Sequence, residues 1–168
     1  MKTTILIIVL TAFLTSAYSK DKAPRLLLER PKSMHGKVQN LFEMVDKYDE
    51  ITFYTLNPMR EKKNDKNFHG YEILGSKVLK NPKHTVALMQ YFYDSIGRNR
   101  GAVAGCFEPR HGFRIKQGDK TLDLVICFAC ASAQVHTGDK RSSVLIQGDG
   151  KVFNGIAKKL GMKVSESK

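Results

Sequence analysis

The side chains best suited to chemistry fall within one stretch. All three cysteines of this 168-residue chain lie there, at Cys106, Cys127 and Cys130, and His111 follows the first of them by five residues. Three chemistries are open to this set. The first is a structural disulfide with one spare thiol, and Cys106–Cys130 is the favoured pair. A Cys127–Cys130 bond is disfavoured, because three residues of extended strand hold the alpha carbons about 10 Å apart, beyond disulfide reach. The second is a zinc site: Cys106, His111, Cys127 and Cys130 make a three-thiolate, one-imidazole set, Cys-x2-Cys has ligand spacing, and His136 is a further candidate downstream. The third is redox or nucleophilic work by Cys127 or Cys130, whose thiolate needs nearby positive charge of the kind Arg110 carries. Arg110, beside His111, is also a candidate anion contact through its fork of donors. Other constellations are missing. There is no Gly-x-Ser-x-Gly elbow, no phosphate-binding glycine loop and no His-Glu-x-x-His, and Glu108 and Asp123 stand as isolated carboxylates.

These residues need a β-hairpin to bring them together. His111 to Lys116 and Thr121 to Phe128 alternate apolar and polar residues around a Gly118-Asp119 turn. Setting Gln117 opposite Lys120 places Arg114 opposite Asp123, Phe113 opposite Leu124 and His111 opposite Ile126. One face then carries Phe113, Ile115, Leu122, Leu124, Ile126 and Phe128, a core face of period two. Cys130 falls on that face near Phe107 and Cys106, and Cys127 falls on the other, opposite Arg110.

The rest of the chain supplies the layers around this hairpin. Val38, Leu41, Phe42 and Val45 give one apolar face to a helix from about Met34 to Lys47. Glu50–Leu56 is β-branched and aromatic, a strand that Asn57-Pro58 stops. Met59–Asn67 reads as a charged loop. Phe68–Leu79 reads as one strand, with Gly75 marking a bulge or a close backbone approach. Asn81-Pro82 starts a second helix, with Val86, Leu88, Met89, Phe92, Tyr93 and Ile96 inward and Gly97 at its end. Ser142–Ile146 is a short strand. A last helix, Lys151–Leu160, turns Val152, Phe153, Ile156 and Leu160 inward and ends at Gly161. His69 and His84 read as surface or capping residues. The connections between most strands are short, so the fold class is α+β: one domain with a mainly antiparallel sheet packed against about three helices.

Three segments carry a resemblance. Phe68-His-Gly-Tyr with Ile73-Leu-Gly75, Cys106-Phe-Glu-Pro-Arg-His-Gly112 and Leu124-Val-Ile-Cys-Phe-Ala-Cys130 resemble those of a family of small exported bacterial proteins with no established activity. The resemblance spans about Ile51 to Met162. It implies an exported domain with those limits and implies no mechanism. Ala129 stands where the family pattern carries an acidic residue.

Met1-Lys2, the apolar run Ile5–Leu14 and Ala17-Tyr18-Ser19 read as a signal peptide cleaved after Ser19, because the run is too short to span a bilayer. The domain plan is then a signal over 1–19, a leader over 20–32, the α+β domain over 33–163 and a polar tail over 164–168. The expected location is periplasmic or extracellular. Cleavage removes only Lys2 of the 28 basic residues and none of the 16 acidic ones, leaving a net charge of +11. That excess favours an anionic surface or an exported protein partner. Basic residues are scattered without interleaved aromatics, which argues against nucleic acid. No second apolar run is long enough for a transmembrane helix. The functional expectation is a non-catalytic binding or structural module, with a zinc-binding or thiol-redox site at Cys106, His111, Cys127 and Cys130 as the alternative.

Overall fold

The central hairpin forms in the expected register. In the computed structural model, which describes residues 28–29, 39–60, 67–98 and 104–165, β4 (His111–Gln117) and β5 (Lys120–Cys127) pair antiparallel with His111 opposite Ile126, Arg114 opposite Asp123 and Gln117 opposite Lys120. The two-residue turn has Gly118 at a φ of 53°. A positive φ at that loop position matches the turn to the twist of the strands it joins.

Around it lies a seven-stranded antiparallel sheet. Its further strands are β1 (Glu50–Arg60), β2 (Asn67–Phe68), β3 (Tyr71–Val78), β6 (Ser132–Thr137) and β7 (Lys140–Leu145), and the order is β2-β3-β1-β4-β5-β6-β7. The helices are α1 (Gln39–Asp46), α2 (Pro82–Arg98) and α3 (Lys151–Lys159). The α+β class is therefore as expected. All three helices cover one face. Leu41 and Phe42 of α1, Leu88 and Phe92 of α2 and Phe153 and Ile156 of α3 join Phe53, Phe113, Ile115, Leu124 and Ile126 of the sheet in one core. Fully burying a side chain of this size contributes about 1.5–3 kcal/mol, so this layer dominates the stability.

The helix ends follow from local chemistry. Asn81 Oδ1 accepts the Lys83 N–H at 3.0 Å, an N-cap bond at the start of α2. At the end of α3, Gly161 adopts a φ of 70°, its N–H reaches Lys158 O, and Met162 N–H reaches Ala157 O. That is a Schellman closure, and its left-handed residue has no Cβ to clash. Leu28 packs against the core, and Glu29 and Gln90 exchange two hydrogen bonds, so the short leader segment docks on α2. The signal, the rest of the leader and residues 34–38 of the first expected helix lie outside the described residues, as do 166–168.

Three expectations change. Asn57-Pro58 does not stop β1, which runs to Arg60. Over this segment β1 bonds β3 through irregular steps, with Leu56 opposite Ile73 and Arg60 opposite Tyr71, and a proline is tolerated at such a bulge. The single strand Phe68–Leu79 is two strands, because His69 and Gly70 both take positive φ, 54° and 88°, and make a two-residue turn. Val86 is 36% exposed rather than inward, and Thr85 is buried in its place. Gly75 does sit at a bulge, where a Cβ would lie 3.0 Å from Thr55 Oγ1 and 3.1 Å from Met162 Cβ.

The other sheet face has its own small core. Leu56, Phe68, Tyr71 and Val125 pack there, with Tyr54, Ile73 and Phe107 against them. Phe68 lies so close over β4 that a Cβ on Gly112 would stand 2.7 Å from its ring. This contact holds the β2–β3 hairpin over the outer face of the sheet.

Candidate thiol–disulfide site

The sulfurs gather where β5 ends. The chain reverses over Phe128–Ala131, with Ala131 N–H bonded to Phe128 O and Ala131 at a φ of 53°, before β6 begins opposite Cys127 at Ser132. This turn corrects the expected disulfide. Cys127 and Cys130 lie on a turn rather than along one extended strand, so their alpha carbons are 5.2 Å apart, and the resting bond is Cys127–Cys130 instead of Cys106–Cys130.

Cys106 is nonetheless beside that bond. Its Sγ lies 3.9 Å from Cys130 Sγ. The Ala104 N–H bonds Cys130 O at 3.2 Å and the Glu108 N–H donates to Cys130 Sγ at 3.2 Å, so the segment carrying Cys106 is fastened to the turn on both sides. Cys127 Sγ in turn accepts the Cys130 N–H at 3.1 Å. Accessibility divides the three sulfurs. Cys127 and Cys130 are 1% and 0% exposed, whereas Cys106 is exposed. Cys106 opens on a cavity of about 770 Å³ whose wall also carries Met59, Phe107, Arg110 and Lys163.

His111 does not join the sulfurs as a ligand. Its Nε2 is 2.9 Å from Asn154 Oδ1 on α3, and its ring packs edge-on against Phe153 and Phe128. Burial pushes its pKa down to about 4, against the hydrogen bond to Asn154, with the Arg110 charge adding a smaller push in the same direction. It is therefore neutral at pH 7. It lines a second cavity, of about 170 Å³, together with Arg110, Asp149 and Asn154.

The expected zinc set is thus not assembled. Two of its thiolates are spent in a disulfide, and its imidazole is engaged by Asn154. Among the described residues no three His, Cys, Asp or Glu side chains come together as metal ligands. Arg110 stands between the two cavities and lines both. Its Nε is buried without a hydrogen-bond partner among the described residues, and its Nη1 reaches only Glu108 O at 3.5 Å.

Sequence reasoning missed two partners here. Asn154 follows Phe153 on α3 and offered only a polar position next to a core residue as a signal. His69, expected as a surface or capping residue, has its Nε2 2.8 Å from Asp123 Oδ2 and its ring stacked on His136 at 3.8 Å. Histidine is among the non-glycine residues enriched at positive φ, so His69-Gly70 carried a turn signal in its residue types.

No family model, curated protein or solved structure matches this chain. Among the described residues no helix is long and apolar enough to cross a membrane.

Proposed function

We propose that this chain is an exported domain in which Cys106 relays thiol–disulfide exchange between a buried disulfide and the thiols of an exported protein. The observation that carries this reading is the 3.9 Å approach of an exposed thiol to one sulfur of a disulfide that solvent does not reach. The Cys106 thiolate attacks Cys130 Sγ. A Cys106–Cys130 bond forms, the Cys130–Cys127 bond breaks, and its electron pair leaves on Cys127, where the Cys130 N–H is in place to stabilise it. Closing the sulfurs from contact to bonding distance needs about 2 Å of travel. A partner thiolate then attacks the accessible Cys106 sulfur and displaces Cys130 as a thiolate. The partner's second thiol displaces Cys106. The partner dithiol has become a disulfide, and its two protons end on Cys127 and Cys130. Export is supported by the signal-like start of the sequence and by a disulfide that persists in oxidising compartments.

A second reading has its own support. The near-zero exposure of both bonded sulfurs suits a static staple across the β5–β6 turn in a non-catalytic binding module. A tenfold excess of a synthetic peptide with two reduced cysteines separates the two. The relay yields one equivalent of oxidised peptide per protein and a Cys106–peptide adduct on acid quench. A peptide that stays reduced, with no adduct, leaves the staple.

A further inference from the structure

The helix-free face of the sheet carries a second feature, which shares Arg60 with the wall of the Cys106 cavity. Strand register lays Arg114, Asp123, His136 and Arg141 side by side across β4, β5, β6 and β7. Residues paired this way share a face. The one carboxylate in this row is already engaged. Asp123 accepts Arg114 Nε at 2.9 Å and Nη2 at 2.7 Å, and His69 Nε2 lies 2.8 Å away. Burial alone would raise its pKa, but the bonds from Arg114 and His69 outweigh burial and hold it below the usual 3.8. Asp123 is thus a fixed anion that anchors the β2–β3 turn, and Arg141 is not among its partners.

Beyond that anchor a cleft of about 300 Å³ opens between the β2–β3 hairpin and the β6–β7 hairpin. Arg60, His69, Tyr71, Gln134, His136 and Arg141 line it. Arg60 is the cross-strand neighbour of Tyr71, and Arg141 is that of His136. Burial raises the Tyr71 pKa, and the charges of Arg60 and Arg141 oppose that rise. Neither Arg60 nor Arg141 is held in an ion pair among the described residues. Among the described residues Asp139, on the turn, is the one carboxylate in the wall. A concave site with two guanidinium groups unpaired among the described residues, and an amide, is rich in donors and short of acceptors.

We infer that this cleft binds a tetrahedral oxyanion, a phosphate or sulfate group, with Arg60 and Arg141 as its charged clamps and Gln134 as a neutral donor, while the Tyr71 hydroxyl, which donates to Phe107 O at 3.4 Å, forms part of the wall. Arginine's planar fork suits two oxygens of such a group at once, which a chloride ion does not offer. The basic excess of the sequence would then have one localised use. Whether the group is a phosphate or a sulfate is decided by the test.

The full chain is titrated calorimetrically at low ionic strength with inorganic phosphate, inorganic sulfate and chloride in separate arms. The expected result is saturable 1:1 binding of phosphate or sulfate, with the tighter arm naming the group, and no saturation with chloride. Arg60→Gln and Arg141→Gln should each weaken binding at least 10-fold. Lys151→Gln, on the helical side, should leave it unchanged, and Cys106→Ser should do the same. Binding that survives both arginine substitutions, saturation by chloride, or no saturation by either oxyanion overturns the assignment. Circular dichroism of each variant is expected to match wild type, since Arg60 and Arg141 are exposed.

Discussion

Replacing Cys106 with Ser is expected to protect the Cys127–Cys130 disulfide from reduction by dithiothreitol under native conditions, slowing it on the order of 100-fold or more. The physical reason is access. Both bonded sulfurs are shut off from solvent, so an external thiol must wait for the β5–β6 turn to open. Cys106 has no such wait, because it is exposed and already in contact with Cys130 Sγ. Its intramolecular attack moves the disulfide to a sulfur that solvent reaches. Counting free thiols against time in wild type and variant measures the ratio. In denaturant the two rates should converge, since unfolding removes both the shielding and the proximity. Equal rates under native conditions would leave the 3.9 Å contact without a chemical role.

The second large effect concerns pH. His111 has a folded pKa of about 4, against an ordinary value of 6.5 in the unfolded chain. The unfolded state therefore takes up a proton as pH falls through 6.5, and the folded state does not until about 4. The stability that this group contributes is full above 6.5 and is lost as pH falls from there to 4. A difference of this size amounts to about 3 kcal/mol. Asp123 acts in a lower window. Its folded pKa is depressed, so its contribution is present above 3.8 and disappears only as pH falls through the folded value. Urea unfolding at pH 7.0, 5.5 and 4.0 separates the two groups. His111→Gln should be less stable than wild type at pH 7 yet lose about 3 kcal/mol less between pH 7 and pH 4. Parallel pH curves for variant and wild type would mean that the imidazole titrates normally in the fold.

The hairpin at the heart of the sheet was readable because period two, a Gly-Asp turn and an Arg–Asp pair all favour one register, and a one-residue slip would bury Arg114 and Asp123 against Phe53 and Phe153. The helices were readable from apolar spacing, with Val86 misplaced because the buried face of α2 also takes Thr85 and Ser95. The site was legible in its residue types but not in its pairing. A distance argument along an extended strand excluded Cys127–Cys130, and nothing in Phe128-Ala129-Cys130-Ala131 marks a turn, since Ala131 takes a positive φ that alanine rarely adopts. A different limit hid the outer-face cleft. It depends on His69 turning β2 back over the sheet to reach Asp123, a contact 54 residues away in sequence that no local pattern encodes.

The relay requires that Cys106 and Cys130 can bond within the native fold once Cys127 no longer competes. A Cys127→Ser variant under mild oxidation with diamide, digested without reduction and mapped by mass spectrometry, tests this directly. The expected product is a peptide pair joined through Cys106 and Cys130, in a protein whose circular dichroism matches wild type. A folded variant that keeps Cys106 and Cys130 as two free thiols after oxidation would contradict it.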